Sequence, residues 1–247
     1  MDPEDKARKV LDILEKEFPD ARTALEFKNP LELLIATILS AQATDKLVNK
    51  VSGALFKKYR TASDYAEAGL EGLEKDISSI NFYRNKAKNI KACCGKLVSE
   101  FGGKVPDTLE ALVSLPGVGR KTANIVLGNA FGRNALAVDT HVKRVAGRLG
   151  LTSSDDPDRI EADLTAIIPP ERWTKTTHLF ILHGRKTCKA VNPDCPNCPI
   201  QAYSVYFREV YSKGNAQRRG RAGLMPRSRR GPGLAFDEAR VIAAGLQ

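Results

Sequence analysis

The sequence of 247 residues contains no apolar run that approaches the roughly 18 residues of a membrane-spanning helix. Its first ten residues, MDPEDKARKV, are charged where a signal peptide would be apolar. The five cysteines form an odd count, which argues against a framework of disulfides. We therefore expect a cytoplasmic protein, acting as a monomer, with no membrane partner.

Strict alternation of apolar and polar residues, which is typical of half-buried strands, occurs in few segments. Apolar residues recur instead at helical spacing over most of the chain, and 42% of the residues are hydrophobic. The sequence therefore predicts an all-α fold with enough apolar residues for a substantial core.

Positive charge is concentrated at one end of the chain. The formal net charge is +10, and the segment from Ser212 to Gln247 carries eight basic and only two acidic residues. That segment is rich in Gly and Arg, which predicts a disordered tail with nonspecific affinity for nucleic acid. The remaining +4 of the body gives weaker support for a polyanionic partner.

The most informative stretch reads LPGVGRKTANIVLGNAFGRNALAVDTHV. It opens with a two-glycine turn that leads into a helix with a basic start: Leu115, Pro116, Gly117, Val118, Gly119 and Arg120. An upstream helix is predicted from a capping box of Asp107 and Glu110. Such a hairpin directs backbone N–H groups towards a phosphate at a helix N-terminus. It predicts sequence-independent docking on a nucleic-acid backbone, the alternative being an ordinary turn between helices.

Lys121 begins the predicted helix that ends at Phe131. The helix dipole disfavours a cation there, and the adjacent Arg120 should also leave more of the amine neutral. A neutral amine can attack C1′ of a sugar and form a Schiff base. The alternative is a lysine that only contacts phosphate.

Asp139 directly precedes the helical pattern from Thr140 to Leu149 and is a good N-cap. A capping aspartate is held rigidly by backbone N–H groups. This suits a carboxylate that stabilises a cationic sugar or accepts a proton from Lys121. Most such residues are only caps, so both interpretations stay open.

Three cysteines, Cys188, Cys195 and Cys198, follow the spacing C-x6-C-x2-C, with prolines between them that enforce turns. Thiolates clustered this tightly in an intracellular chain usually bind metal. Cys93 and Cys94 fall in an apolar helical stripe and are predicted to be core residues.

The LPGVGRK hairpin with its downstream aspartate resembles the helix-hairpin-helix DNA glycosylase superfamily and, within it, the endonuclease III family. The resemblance spans about Lys6 to Tyr211. It implies that Lys121 and Asp139 are the catalytic residues of an enzyme that flips a damaged base out of DNA. Such an enzyme cleaves the N-glycosidic bond and then nicks the strand by β-elimination. The loop before Asp139 lacks the usual proline of the family, a small departure.

The resemblance also implies DNA contacts outside the hairpin. Gln42 would fill the gap left by the flipped base, and Phe82 would wedge beside the opposite strand. His141 and Lys189 would also touch DNA. From the residues alone, Gln42 is only a polar loop residue. Phe82 could equally be buried in a corner of the fold rather than serve as a wedge. Asp45 is favoured as an added helix cap.

In the family, the cysteine pattern C-x6-C-x2-C-x5-C holds a [4Fe-4S] cluster. Here Ser204 occupies the fourth position. The fourth ligand could be Ser204 as an alkoxide or another group. The site could also hold a three-iron cluster or zinc, or its thiols could pack without metal. We expect a [4Fe-4S] cluster with a structural role, bound by Cys188, Cys195 and Cys198, with the fourth ligand open between Ser204 and those alternatives.

The resemblance implies two helical lobes with DNA in the cleft between them. Residues 22–132 would form a six-helix barrel that ends in the hairpin. Residues 1–21 and 133–211 would together form the lobe that carries the cysteines. Residues 212–247 would form the tail. The implied function is a DNA glycosylase with AP lyase activity that removes oxidised pyrimidines from damaged double-stranded DNA. The rivals are a monofunctional glycosylase of the mismatch adenine or thymine type, and a noncatalytic helix-hairpin-helix DNA-binding module.

Overall fold

A computed structural model of the chain describes residues 1–212. The predicted tail, apart from Ser212, lies outside the described residues. The described part consists of helices, turns and loops and contains no strand, which confirms the all-α prediction. None of its helices is both long and apolar enough to cross a membrane.

Eleven α-helices follow one another in the described part of the chain. They are α1 Pro3–Glu17, α2 Pro30–Ser40, α3 Asp45–Lys58, α4 Ala62–Glu67, α5 Leu70–Asp76, α6 Tyr83–Phe101, α7 Leu109–Val113, α8 Arg120–Ala130, α9 Thr140–Leu149, α10 Pro157–Ile167 and α11 Trp173–Lys186. Short 3₁₀ turns at Pro170–Arg172 and Gln201–Tyr203 and a π-helical turn at Phe207–Tyr211 complete the described part.

Local capping signals explain where many helices begin. Asp2, Asn29 and Asp156 each accept a hydrogen bond from the backbone N–H of the third residue of the following helix, and a proline occupies the first helical position in all three. These starts agree with the sequence. The capping box predicted at Asp107 is wrong, because Thr108 caps α7 while Asp107 forms an ion pair with Arg133.

Apolar side chains form two separate cores. One is built by α2 to α8, from Leu25 to Ala135, and the other by α1, α9, α10 and α11 with flanking residues up to Ile200. Both buried cysteines outside the C-x6-C-x2-C motif, Cys93 and Cys94, lie in the first core as predicted. This division supports the two lobes inferred from the sequence, which we retain as proposed domains.

The segment between α8 and α9 passes from one core to the other. Its residues Ala135 to Val138 are buried. The hydroxyl of Thr177 on α11 accepts a hydrogen bond from the Ala137 N–H at 3.0 Å, and that of Thr174 donates to the Ala135 carbonyl at 3.0 Å. The crossing segment is therefore fixed to α11 just before it reaches Asp139.

Candidate active site

The hairpin between α7 and α8 depends on a glycine in the left-handed region. Gly117 has a φ of +76°, and a Cβ at this position would lie 2.8 Å from Cβ of Asn89. The side chains of Leu115 and Val118 are buried in the first core, whereas Gly117 and Gly119 are exposed. The hairpin therefore offers its backbone, rather than its apolar side chains, to a phosphate.

Lys121 is the second residue of α8, which begins at Arg120, one residue earlier than predicted. Its side chain is exposed and lines a cleft between the two cores. An amine in this position can reach a ligand held in the cleft.

Arg120 binds a carboxylate of the other lobe. Its Nε and Nη2 atoms lie 2.9 and 2.8 Å from the two carboxylate oxygens of Glu161 on α10. The Asn124 side chain donates to the same carboxylate at 2.9 Å and to the Leu136 carbonyl at 2.9 Å. The first turn of α8 is thereby tied to α10, and a phosphate contact by Arg120 stays a prediction.

Asp139 caps α9, as the sequence predicts. Its Oδ1 atom accepts hydrogen bonds from the N–H groups of His141 and Val142, both at 2.8 Å. Within residues 1–212, Oδ2 takes part in no hydrogen bond or ion pair. Because Asp139 also lines the cleft, a carboxylate fixed through one oxygen has its other oxygen available for a ligand.

The cleft that holds Lys121 and Asp139 has a volume of about 300 Å³. Its walls come from both lobes and include Ile125 on α8 and His178 on α11. The His178 Nε2 atom lies 2.8 Å from Oδ1 of Asn129, and burial lowers the pKa of His178 to about 4. His178 is therefore a neutral wall residue at pH 7. A small planar ligand can enter this cleft beside the lysine and the carboxylate.

An ion pair crosses the same cleft. Arg185 Nη1 on α11 lies 2.8 Å from Oδ2 of Asp45 on α3, and both residues line the cleft. Asp45 is thus not the cap favoured by the sequence, since the hydroxyl of Thr44 accepts the capping bond from the Leu47 N–H. The pair places a donor and an acceptor on the cleft wall.

Gln42 and Phe82 share an unusual backbone conformation, with φ values of +55° and +58°. The Asn81 side chain donates to the Gln42 carbonyl at 3.0 Å, and Lys86 Nζ donates to the Ala41 carbonyl at 2.5 Å. Both side chains are exposed, Phe82 by 61%, so the buried alternative for Phe82 is wrong. Strained, exposed residues held by neighbours are typical of functional surfaces.

His141 is in the first turn of α9, and its side chain packs against α11. Its Nδ1 atom is 3.0 Å from Nη2 of Arg144, and burial lowers its pKa although Asp139 opposes that shift. A Cβ at Gly184 would lie 3.0 Å from His141 Nδ1, so the close packing of the two helices favours glycine there. The structure gives His141 a packed position at the edge of the cleft. Its DNA contact stays a prediction.

Cys188, Cys195 and Cys198 line one small cavity at the base of the second lobe. Among residues 1–212, no group of three His, Cys, Asp or Glu side chains could hold a single metal ion. Three thiols on one cavity are donors of the type that an iron–sulfur cluster takes, and the cluster itself stays a prediction. Lys189 is exposed in the loop after Cys188, and its carbonyl accepts a hydrogen bond from Arg148 at 2.7 Å.

Four residues near the cleft were not predicted as functional, although the structure gives each a position of interest: Asp45, Glu161, His178 and Arg185. Their partners lie far away in the sequence. Only Asp45 had a signal, since it is an acidic residue in the same loop as Gln42. Local patterns cannot reveal the others.

The fold and the cleft define a helix-hairpin-helix protein of DNA repair. The family model of the HhH-GPD superfamily base excision DNA repair proteins matches residues 35–170. The chain is 50% identical over 196 residues to endonuclease III of Synechocystis sp. (strain ATCC 27184 / PCC 6803 / Kazusa), covering 79% of this chain and 90% of that protein. It is 42% identical over 205 residues to endonuclease III of Escherichia coli (strain K12), covering 83% and 97%.

Among solved structures, a trapped endonuclease III–DNA covalent intermediate superimposes with a TM-score of 0.80 at 50% identity, covering 84% of this chain and 98% of that one. The chain therefore belongs to the endonuclease III family, and it is a base-excision-repair enzyme with DNA glycosylase and AP lyase activity. The family generally binds a [4Fe-4S] cluster.

Proposed function

We propose that this enzyme removes oxidised pyrimidines from damaged double-stranded chromosomal DNA, as an intracellular monomer, and that Lys121 is its nucleophile. The observation that carries the proposal is the presence of Lys121 and Asp139 on one cleft of about 300 Å³ between two helical cores. A pyrimidine is small and planar, and the donor of Arg185 and acceptor of Asp45 on the cleft wall suit its polar edge.

Binding begins with the phosphate backbone. The exposed backbone of Gly117 and Gly119 would hold a phosphate near the lesion at the start of α8. The target nucleotide then leaves the base stack, Gln42 occupies the space it vacates, and Phe82 inserts beside the opposite strand. Both residues have a left-handed backbone, and strained backbone of this kind is concentrated at functional sites. This supports a role in DNA binding for both Gln42 and Phe82.

The chemistry then needs an amine and a carboxylate. Asp139, held by two backbone N–H groups, stabilises positive charge on the sugar and accepts a proton from Lys121. The Lys121 amine forms a bond to C1′ as the N-glycosidic bond breaks and the base departs. The C1′–O4′ bond of this adduct then breaks, O4′ takes up a proton, and the opened sugar carries an imine at C1′. The imine acidifies the C2′ proton, and loss of that proton expels the 3′ phosphate.

A covalent step of this kind is supported by the trapped endonuclease III–DNA covalent intermediate of a relative. His178 has no proton to give at neutral pH, because burial lowers its pKa to about 4. His178 therefore does not act as a general acid in the cleft.

We extend the proposal to the cofactor. Cys188, Cys195 and Cys198 would hold an iron–sulfur cluster, which is supported by three thiols on one cavity. The cluster would supply structural cross-linking of the loop that carries Lys189, rather than a step of the reaction.

Borohydride trapping tests the nucleophile. Wild-type protein incubated with a thymine-glycol duplex and borohydride should form a covalent adduct, and Lys121→Gln should form none. Lys46→Gln, at an exposed lysine in the first turn of α3, is the control and should trap like wild type. Trapping that persists in Lys121→Gln would assign the nucleophile to another amine.

A duplex with a preformed abasic site separates the remaining functions. Nicking of this duplex by wild type and not by Lys121→Gln is expected. A protein that excises the base but never nicks would be a monofunctional glycosylase. A protein that binds both duplexes and leaves them intact would be a binding module only.

A further inference from the structure

Ser204 occupies the position at which the family has a fourth cysteine, and its hydroxyl is already committed. Ser204 Oγ donates a hydrogen bond to the Arg148 carbonyl at 3.2 Å and accepts one from the Phe207 N–H at 3.1 Å. Its own carbonyl accepts from the Arg208 N–H at 3.3 Å. These bonds are those of an N-cap, because helical structure begins at Val205 and continues into the π-helical turn at Phe207–Tyr211. Serine is strongly preferred at such a position.

Iron binding by Ser204 would be incompatible with its bond to the Arg148 carbonyl. A serine ligates iron as an alkoxide, which has no proton left to donate to the Arg148 carbonyl. Arg148 is itself held in place, since its guanidinium stacks on Tyr206 at 4.4 Å and donates to the Lys189 carbonyl at 2.7 Å. A ligand role for Ser204 would therefore break a bond in a fixed network.

His183 and Asp194 also line the cysteine cavity. Both carboxylate oxygens of Asp194 accept hydrogen bonds from the Asn197 side chain, whereas His183 is closely packed against a cysteine. His183 is 1% exposed, and among residues 1–212 its Nδ1 atom has no hydrogen-bond partner. Its Nε2 atom lies 3.7 Å from Sγ of Cys198. Ligands of different iron atoms in a cluster stand farther apart than this. The contact suits an N–H group that donates to a cysteine sulfur, as Arg148 also does to Cys188 at 3.4 Å.

We propose that the cluster of this chain is bound by three cysteines only, Cys188, Cys195 and Cys198, so that one iron has no protein ligand, while Ser204 is a helix cap. The proposal rests on the cofactor proposed above. The exposed coordination position would be taken by water, hydroxide or a small thiol, and that iron would be labile. When an external one-electron oxidant such as ferricyanide removes one electron from [4Fe-4S]²⁺, the resulting [4Fe-4S]³⁺ releases Fe²⁺ and leaves [3Fe-4S]⁺.

The test reconstitutes the full chain anaerobically with ferrous iron and sulfide. Iron and sulfide per chain, visible absorption and electron paramagnetic resonance are measured before and after ferricyanide. Wild type and Ser204→Ala should hold equal iron and should both convert to the three-iron signal at equal rates. Ser204→Cys should keep four irons and resist conversion by at least tenfold in rate. Cys198→Ser should lose most of the iron.

Two results would overturn the proposal. Iron content or cluster half-life that falls equally in Ser204→Ala and in Ser204→Asn, which keeps a capping side chain, would make Ser204 a ligand. Wild type that takes up no iron while Ser204→Cys does would mean that three thiols do not suffice. Borohydride trapping on the same samples keeps the two questions apart, because a protein that traps DNA without iron refutes the cluster and leaves the repair activity intact.

Discussion

Removal of the Glu161 carboxylate should loosen the first turn of α8, where Lys121 lies. Glu161 is 14% exposed and Arg120 44% exposed, so their pair is stronger than a surface ion pair but weaker than a buried one. Together with the bond from Asn124 to Glu161, the loss in Glu161→Ala should be about 2 kcal/mol. For a chain of this size that lowers Tm by about 4–8 °C.

The matched control is Asp158→Ala. Asp158 lies on the same helix, is 72% exposed and approaches Arg120 only to 3.8 Å. Both variants remove one negative charge from α10, so a general gain in DNA affinity should be equal in the two. Asp158→Ala should change the free energy of unfolding by less than about 0.5 kcal/mol.

Two assays compare these variants. Urea denaturation gives the free energy of unfolding, and single-turnover excision under saturating enzyme gives the rate of base release. We expect Glu161→Ala to slow excision by about tenfold, since small displacements of a reacting group are costly. If the two variants have the same unfolding midpoint and the same rate, the tie between α8 and α10 does not position Lys121.

Lowering the pH should destabilise the fold through His178. The pKa of His178 is lowered to about 4 by burial and, to a smaller extent, by the charge of Lys175. Unfolding at low pH then takes up a proton, so the contribution of His178 to the free energy of unfolding is fully present above about pH 6.5 and falls by up to roughly 3 kcal/mol towards pH 4. His178→Gln should flatten the slope of urea midpoints against pH. An unchanged slope would contradict the assignment. Phe82→Gly should gain about 1 kcal/mol by relieving a φ of +58°, yet weaken lesion binding several-fold; equal affinity by fluorescence anisotropy would exclude the wedge. Arg185→Ala should cost under about 1 kcal/mol, because its pair with Asp45 is partly exposed, and should slow base excision more than nicking at a preformed abasic site; equal slowing of both steps would remove its contact with the base.

Helix starts, the hairpin and the candidate catalytic pair can be predicted from the sequence because their signals are local. Asp139 caps the residues that immediately follow it, and Gly117 meets a turn requirement within one hairpin. The departure at Ser204 is equally visible in the spacing of cysteines.

Contacts between distant segments cannot be predicted in this way. Arg185 and Asp45 are 140 residues apart, and Arg120 and Glu161 are 41 apart. Each residue alone is an ordinary charged side chain on a helix. Lys86 is a further example. It is buried, and its Nζ donates to the carbonyls of Leu39 and Ala41 at the C-terminal end of α2, which no periodic pattern indicates. The role of Ser204 also depends on a fold contact, to the Arg148 carbonyl.

These long-range pairs connect stability to catalysis. Lys121 belongs to a helix packed in the first core, while Asp139 begins a helix packed in the second. Neither helix alone fixes the distance between amine and carboxylate. That distance depends on the crossing segment bound to Thr177, on Glu161 holding α8, and on the pair of Arg185 with Asp45. A substitution that weakens any of the three should therefore lower activity before it unfolds either core, because each core retains its own apolar contacts.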